Sequence, residues 1–404
     1  MLLYNILRFF LYGIIAVTLI FRRKDRIFFR KRLSQKIENK EFERDDTFLI
    51  HMSSVGEFNL SRELIASLLR KGEKLIISIM TDTGFEEVRK IYGNNLNVKI
   101  IYFPLDDYFL LKKLYKEYRI RKTVIIETEI WPNLYYTAAK NGELLIVNGR
   151  LTEKRLKSYL KVKWLIRRLL NLAKKVMVQS EEDRERYERA GVNKEKIIVH
   201  KNLKYSIEYE RLDDEKRKEY FRNSIFEDKK KIVCGSTRPG EEKIWLNVFK
   251  EINGGSEYQL IIVPRHLERI EEIRNDIEEV FGKSYENSSV LSDSRKTDII
   301  IVDKMGVLRD FYQLADFVFV GGTLVDIGGH SILEPLYYGK LPIIGEYYQN
   351  IEEIVKDALE MEFVKIVRNR DEIIEYLKKS EMADTQEFFE KNNEIGKIME
   401  ELYN

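Results

Sequence analysis

Residues 315–345 read ADFVFVGGTLVDIGGHSILEPLYYGKLPIIG. The run DFVFV has the length and apolarity of a buried strand. It breaks at Gly321-Gly322, and the chain resumes as a short helix around LEPLYY, a Gly stop and a second apolar run, LPIIG. Pro335 fits only the first turn of that helix, because it has no N–H and its ring clashes with a preceding turn. The helix would then open over Ser331 to Glu334, where unpaired N–H groups attract an anion such as a phosphate. Gly328 and Gly329 let a ligand come close to the backbone. Glu334 repels that phosphate, so it reads as the acceptor for neutral hydroxyls beside it, such as the two on a ribose. A glycine-rich turn followed by an ordinary surface glutamate has the same letters.

The same rhythm runs outward in both directions. Upstream lie TFLIHMS, KLIISIMT, VKIIYFP, KTVIIETE, LLIVNG, KKVMVQS and KIIVHKN, separated by charged helical stretches such as LSRELIASLLRKG and EEDRERYERAG, each closed by Gly. The polar stretch 211–231 interrupts the series, which resumes with KIVCGST, YQLIIVPR, DIIIVD, DFVFVGG and LPIIG. Apolar strands alternating with helices predict α/β architecture with parallel sheets, here two Rossmann-like doubly wound domains facing a central cleft. The expected divisions are a membrane anchor and basic flank over 1–33, an N-terminal Rossmann-like domain over 34–210, a C-terminal Rossmann-like domain over 211–385, and a C-terminal helix over 386–404 that packs back on the first domain.

Composition narrows the setting. One cysteine, Cys234, excludes a disulfide framework and fits a reducing compartment. A net charge of +3, from 70 Lys and Arg against 67 Asp and Glu, gives no reason to expect nucleic acid as a partner. Residues 2–21, LLYNILRFFLYGIIAVTLIF, are long and apolar enough to cross a bilayer and are succeeded at once by RRKDRIFFRKR. Basic residues directly after a first span keep the remainder of a chain in the cytoplasm. Arg8 is costly at a bilayer centre, so insertion into the interface competes with spanning. The stretch LTEKRLKSYLKVKWLIRRLLN, 151–171, reads as one amphipathic helix whose basic face is either solvated or in contact with anionic headgroups.

In open α/β sheets ligands bind beyond the carboxyl ends of strands. The unusual residues sit there. HMSSVGE leaves Gly56 and Glu57 at the mouth of a helix, ETEIWPN puts Glu127 and Glu129 at a strand end, and NLKYS brings Lys204 after the last strand of the first half. The second half contributes GSTRPGEE with Ser236, PRH at 264–266, DKMG at 303–306, and Gly329 and His330 of the opening stretch. Carboxylates on one half and an anion cradle on the other suit a transfer reaction: a base for an acceptor hydroxyl, a binding site for a leaving nucleotide. Each residue also has a plainer role open to it. Glu57 can serve its own helix end alone, one of Glu127 and Glu129 can simply orient the other, and Lys204 and Arg265 can be solvated. His51 reads as core-lining, His266 and His330 as hydrogen-bonding loop residues, and Trp131-Pro132 as a packing corner. No His, Cys or Asp cluster has ligand spacing, so no metal or cofactor is expected.

The ordered set SVGE, ETEIWPN, NGRLTEKR, QSEED, NLKY, PRHLER, DKMG, FVGGTLVDIGGH and LEP resembles the bacterial 3-deoxy-D-manno-octulosonic acid (Kdo) transferases, lipid IVA-specific GT-B glycosyltransferases, over nearly the whole chain. The resemblance implies an inverting enzyme on the cytoplasmic face of the inner membrane, held by a single N-terminal anchor among the membrane lipids. It would move Kdo from CMP-Kdo to lipid IVA, a lipid A precursor, in lipopolysaccharide inner-core biosynthesis, releasing CMP without a catalytic metal. It also implies that Glu57 is the general base, that the stabilising acid lies within ETE, with Glu129 preferred to Glu127, and that Lys204 is the stabilising lysine. Donor contacts fall on Pro264, Arg265, Met305, Gly306, Val307, Ser331, Ile332, Leu333 and Glu334, with Gly56, Ser236, Gly329 and His330 in support. The chain departs from the family pattern at Ser331, where Asn is usual, at Arg238-Pro239 in place of a His-Glu pair, and at Ser206 in place of an acid. Two other readings share parts of this pattern: a GT-B enzyme using a UDP-sugar, and a membrane-tethered nucleotide-sugar-binding protein without activity.

Overall fold

The computed structural model describes residues 4–10, 12, 23–35, 46–379 and 384–404. The described chain forms two compact units, one from the sequence through Glu208 together with Asn393–Asn404, the other from Tyr209–Asn392.

In the first unit the strands are β1 (Thr47–Met52), β2 (Lys74–Ile79), β3 (Val98–Tyr102), β4 (Ile120–Ile126), β5 (Glu143–Gly149), β6 (Lys175–Val178) and β7 (Ile197–Val199). They form one parallel sheet in the order β3-β2-β1-β4-β5-β6-β7. Parallel pairing needs crossover helices on both faces, so central strands lose contact with water on both sides. All six residues of β1 are accordingly buried, His51 among them, packed against Phe103. The first crossover helix, Val55–Arg70, starts where Ser54 Oγ accepts from Glu57 N and buries Phe58, Leu64, Ile65 and Leu68, one stripe at helical spacing. Each such side chain contributes roughly 1.5–3 kcal/mol through burial, and Leu64→Ala is expected to cost about 2–5 kcal/mol.

The expected helix over 386–404 is two helices. Gln386–Asn392 belongs to the second unit, and Ile395–Tyr403 to the first. The break falls at Asn393, whose side chain accepts from Ile395 N and so starts the second helix afresh. Ile398, Met399 and Leu402 enter the core between β1, β2 and the helix Val55–Arg70. Glu394 accepts from Lys201 N at 2.8 Å, and Lys175 pairs with Glu401 at 2.6 Å.

The anchor expected over residues 2–21 lies for the most part outside the described residues, and among those described no helix is long and apolar enough to cross a membrane. Residues 4–10 are helical and rest on the first unit by their polar side chains. The Tyr4 hydroxyl donates to Asp106 at 2.8 Å, Asn5 pairs with Asn133, and Arg8 Nη2 meets Asp107 at 2.6 Å. Leu7, Phe9 and Phe10 are exposed. Arg8 is thus a docking group here.

The second unit holds β8 (Lys230–Thr237), β9 (Tyr258–Pro264), β10 (Ser288–Val290), β11 (Ile299–Ile301), β12 (Phe317–Val320), β13 (Pro342–Ile344) and β14 (Lys365–Ile366), again all parallel, in the order β10-β11-β9-β8-β12-β13-β14. The chain builds one side of each sheet from β1 and from β8, with β11 inserted between β9 and the edge strand β10, then returns to build the other side. The strand order therefore reverses between β1 and β4 and between β8 and β12, and loops leaving those four strands diverge to leave a crevice.

The stretch 151–171 is also two helices, Glu153–Leu160 and Lys163–Leu170. The first buries Leu156 and the second Ile166, Leu169 and Leu170. On one continuous helix Ile166 would lie roughly 80° round from Leu156, and the break at Lys161-Val162 lets both face the core.

Candidate functional site

In the first unit the β1/β4 switch point gathers three carboxylates. Glu57, buried in the first turn after β1, accepts at Oε1 from Ser53 Oγ at 2.6 Å and at Oε2 from Ser53 N. A carboxylate has about four lone-pair sites, so these two bonds orient it and leave room for a further proton. At the end of β4 the chain turns sharply: Glu127 has φ 59, the left-handed region, while its N–H still donates to Val147 O at 2.9 Å. That conformation costs a non-glycine residue about 1 kcal/mol or more and marks sites the surrounding fold holds in place. It also ends the alternation of β4, so Glu127 and Glu129 do not project as neighbours on one extended strand. Burial, and next the Glu57 charge, push the carboxyls of both above the ordinary range. Their moderating partners differ. Arg155 eases both, but Arg150 and Lys204 pull only Glu127 down, whereas Glu129 is eased by the Trp131 indole N–H, 3.1 Å from Oε2. Trp131 itself packs on Phe103, the expected corner. Gly56 has only ordinary space around it, a Cβ there lying 3.6 Å from Ser54 Oγ.

Lys204 sits in a short 3-10 turn, Leu203–Ser206, whose position is set by three buried amides. Asn202 Oδ1 accepts from Lys204 N at 3.0 Å, Asn202 Nδ2 donates to Gln179, Gln179 Nε2 donates to Asn148 O at 3.1 Å, and Asn148 Oδ1 accepts from Leu203 N at 3.0 Å. The motifs NGR, QSEED and NLKY therefore share one network. Each motif is visible in the sequence but the network is not, because contacts between loops after different strands leave no periodic signal.

In the second unit a cavity of about 540 Å³ opens at the β8/β12 switch point. Of the expected donor residues, Pro264, Arg265, Met305, Gly306, Ser331 and Glu334 line it, with Ser236 and His330. Val307, Ile332 and Leu333 are buried and do not line it. Gly328 and Gly329 take φ 98 and 81, and a Cβ at Gly328 would lie 2.3 Å from the Asn350 side chain, so this turn excludes other residues. Ser236, at φ 54, is strained in the same way as Glu127.

The helix after the glycines is Leu333–Tyr337, only five residues, with Ser331 Oγ accepting from Leu333 N at 3.3 Å. Pro335 is in its first turn as expected, but so short a helix has little dipole to offer an anion. Positive side chains supply the field instead: Arg265, Lys304 and Arg309 all line the cavity. His330 registers it. Burial first, then Arg238 and Arg265, push its imidazole down to about 4. It is therefore neutral near pH 7, and Arg238 Nε donates to its Nε2 at 3.3 Å.

Two residues to which sequence reasoning gave no role shape this site. Glu241 is wholly buried, and its carboxylate accepts from four backbone N–H groups: Arg238 at 2.9 Å, Gly322 at 2.8 Å, Thr323 at 3.0 Å and Leu324 at 3.0 Å. It ties the loop after β8 to the loop after β12. Arg309 Nε donates to Glu334 Oε1 at 2.8 Å, so the carboxylate assigned to hydroxyl groups carries a cationic partner. Arg309 lies three residues beyond Gly306 on the next helix, and only its nearness to DKMG pointed toward it.

Comparison with known proteins bears on both units. Residues 24–207 match the family described as 3-deoxy-D-manno-octulosonic-acid transferase (kdotransferase). The chain is 39% identical over 407 residues to a bifunctional glycosyltransferase/methyltransferase of Fusobacterium nucleatum, covering 98% of this chain and 62% of that protein. It thus spans less than two thirds of that relative's length. It is 30% identical over 320 residues to a 3-deoxy-D-manno-octulosonic acid transferase of Chlamydophila psittaci, covering 77% of this chain and 72% of that one. Among solved structures, a UDP-GlcNAc 2-epimerase from Neisseria meningitidis bound to UDP-GlcNAc superposes with a TM-score of 0.55 at 14% identity, over 88% of this chain and 99% of the other. At that identity the likeness is one of fold, two Rossmann-like units in the GT-B manner.

Proposed function

Since this chain belongs to the Kdo transferase family, we propose that it transfers Kdo from CMP-Kdo to a hydroxyl of lipid IVA with inversion, releasing CMP. The observation that carries this reading is the division of charge between the two switch points: three mutually repelling carboxylates at one, and a cavity lined by Arg265, Lys304, Arg309 and Ser331 at the other.

In the reaction the acceptor oxygen forms a bond to the anomeric carbon of Kdo as that carbon's bond to the CMP phosphate oxygen breaks. The electron pair leaves on CMP, and the acceptor proton passes to Glu57, held ready by Ser53. Burial, and next the Glu57 charge, raise the carboxyls of Glu127 and Glu129, which suits one of them to the role of stabilising acid. The Lys204 charge acting on Glu127 favours Glu127 as the residue working with that lysine, and Trp131 fixes Glu129. Arg265 and Ser331 take the phosphate, and Glu334 takes the ribose hydroxyls. No step needs a metal.

The helical residues 4–10, docked by their polar side and exposing Leu7, Phe9 and Phe10, support attachment to the cytoplasmic face of the inner membrane, where such an acceptor resides. The deciding experiment is incubation of the purified protein with CMP-Kdo and lipid IVA, weighing the lipid and measuring CMP. A lipid heavier by whole Kdo residues with matching CMP is expected. Unchanged lipid, or turnover of a UDP-sugar instead, would overturn the proposal.

A further inference from the structure

The pairing of Arg309 with Glu334 has no part in the reaction as proposed, and its surroundings are built rather than incidental. The Arg309 guanidinium lies over the ring of Tyr209, 5.2 Å from the centroid. Tyr209 is met edge-on by Tyr337, at 5.1 Å and 72°, two residues beyond Pro335. The segment carrying Tyr209 is fastened at two more points: the Tyr338 hydroxyl donates to Glu210 O at 2.9 Å, and Gln313 Oε1 accepts from Leu212 N at 2.7 Å. All of these residues belong to the second unit.

The guanidinium therefore has an aromatic face behind it and a carboxylate in front. Cation–π attraction and the planarity of the group restrict it to few orientations, which a flexible ammonium would not share. Glu334 answers this with one oxygen. Oε1 accepts from Arg309, while among the described residues no hydrogen bond reaches Oε2, and the carboxylate lines the cavity. Half-exposed ion pairs contribute little to stability, so folding alone does not account for the arrangement.

We propose that Arg309 is a positioning residue: seated on Tyr209, it clamps Glu334 Oε1 so that Oε2 is presented to the ribose hydroxyls of the cytidine nucleotide. It thereby sets the preference for a ribonucleotide over a deoxyribonucleotide. The proposal rests on the reading that CMP occupies this cavity with Glu334 on its ribose.

The test is calorimetric titration of the full chain and of Arg309→Met, Arg309→Lys, Tyr209→Leu and Glu334→Gln with CMP and with 2′,3′-dideoxy-CMP. The parent is expected to prefer CMP by about tenfold or more, as hydrogen bonds to a charged acceptor allow. In Arg309→Met, CMP binding is expected to weaken about five- to tenfold while the dideoxy form changes less than about twofold, because its hydroxyls are already missing. Arg309→Lys keeps the charge without the flat stack and is expected to fall between parent and Arg309→Met. Tyr209→Leu, which leaves both partners in place, is expected to lose part of the preference. Equal weakening of both ligands in Arg309→Met would make Arg309 a plain attractor of phosphate and overturn the proposal. An unchanged preference in that variant would overturn it too, with the ribose reading left standing. A parent that binds both ligands equally, or binds neither, would overturn the ribose reading and this proposal together.

Discussion

The hydroxyl of Ser53 donates to Glu57 at 2.6 Å, so the first residue after β1 aims the carboxylate in the succeeding helix. Glu57→Gln keeps the shape and the bond from Ser53 but cannot take the acceptor's proton. Turnover, followed as CMP release, is expected to fall about 100-fold or more with CMP affinity unchanged. Near-parental turnover would remove Glu57 from the chemistry and leave it a helix-end charge.

The cavity in the second unit should take up a proton when it binds an anion. His330 is held at about 4 by burial and by the charges of Arg238 and Arg265. A bound phosphate offsets those charges, so the imidazole is expected to titrate higher in the complex, and CMP binding at about pH 5 should be accompanied by proton uptake. The same shift governs stability. The folded pKa lies below the unfolded value of 6.5, so the unfolded chain binds more protons between about 4 and 6.5, and this group's contribution to stability rises with pH through that window. Titration in buffers of different ionisation enthalpy measures the first effect. His330→Gln should abolish the uptake, and uptake that survives in that variant would refute the assignment.

Glu241→Gln leaves four N–H donors facing an amide that offers one acceptor oxygen and turns its own donors toward them. A loss of about 2–4 kcal/mol in unfolding free energy is expected, since buried groups are left unsatisfied. CMP affinity should fall as well, because the loops after β8 and β12 are no longer tied. Denaturant titration and calorimetry together decide, and a variant of parental stability would mean the four bonds are readily replaced.

Positive side chains, rather than a divalent ion, are expected to hold the leaving phosphate. Turnover should therefore persist in excess chelator, while Arg265→Ala should raise KM for the donor about tenfold or more. Activity lost to chelator and restored by a divalent cation would contradict this.

All seven strands of the first sheet and five of the second are legible as apolar runs, because strands buried on both faces need no alternation to be recognised. The two that are not, β10 and β14, are SSV and KI at the sheet edges, too short and too polar to carry a pattern. The cavity residues were legible where a glycine or an X-Pro step marks the backbone, as at Gly306 and at Glu334-Pro335. They were not legible where the role depends on a partner far along the chain. Glu241 meets Gly322 across a separation of 81 residues, and Arg309 meets Glu334 across 25. The break at Lys161-Val162 was hidden for another reason. No Gly or Pro marks it, and only the direction in which each half must face the core requires it.

The return of residues 393–404 to the first unit has a meaning in genetic terms. The second unit is nested inside the coding sequence of the first, as a cassette bounded by codons 209 and 392. Exchange of that cassette between relatives leaves the host unit with both of its own segments. A simple head-to-tail fusion at codon 208 instead strips Ile398, Met399 and Leu402 from the host's core, so chimeras that exchange the second unit must be assembled as insertions.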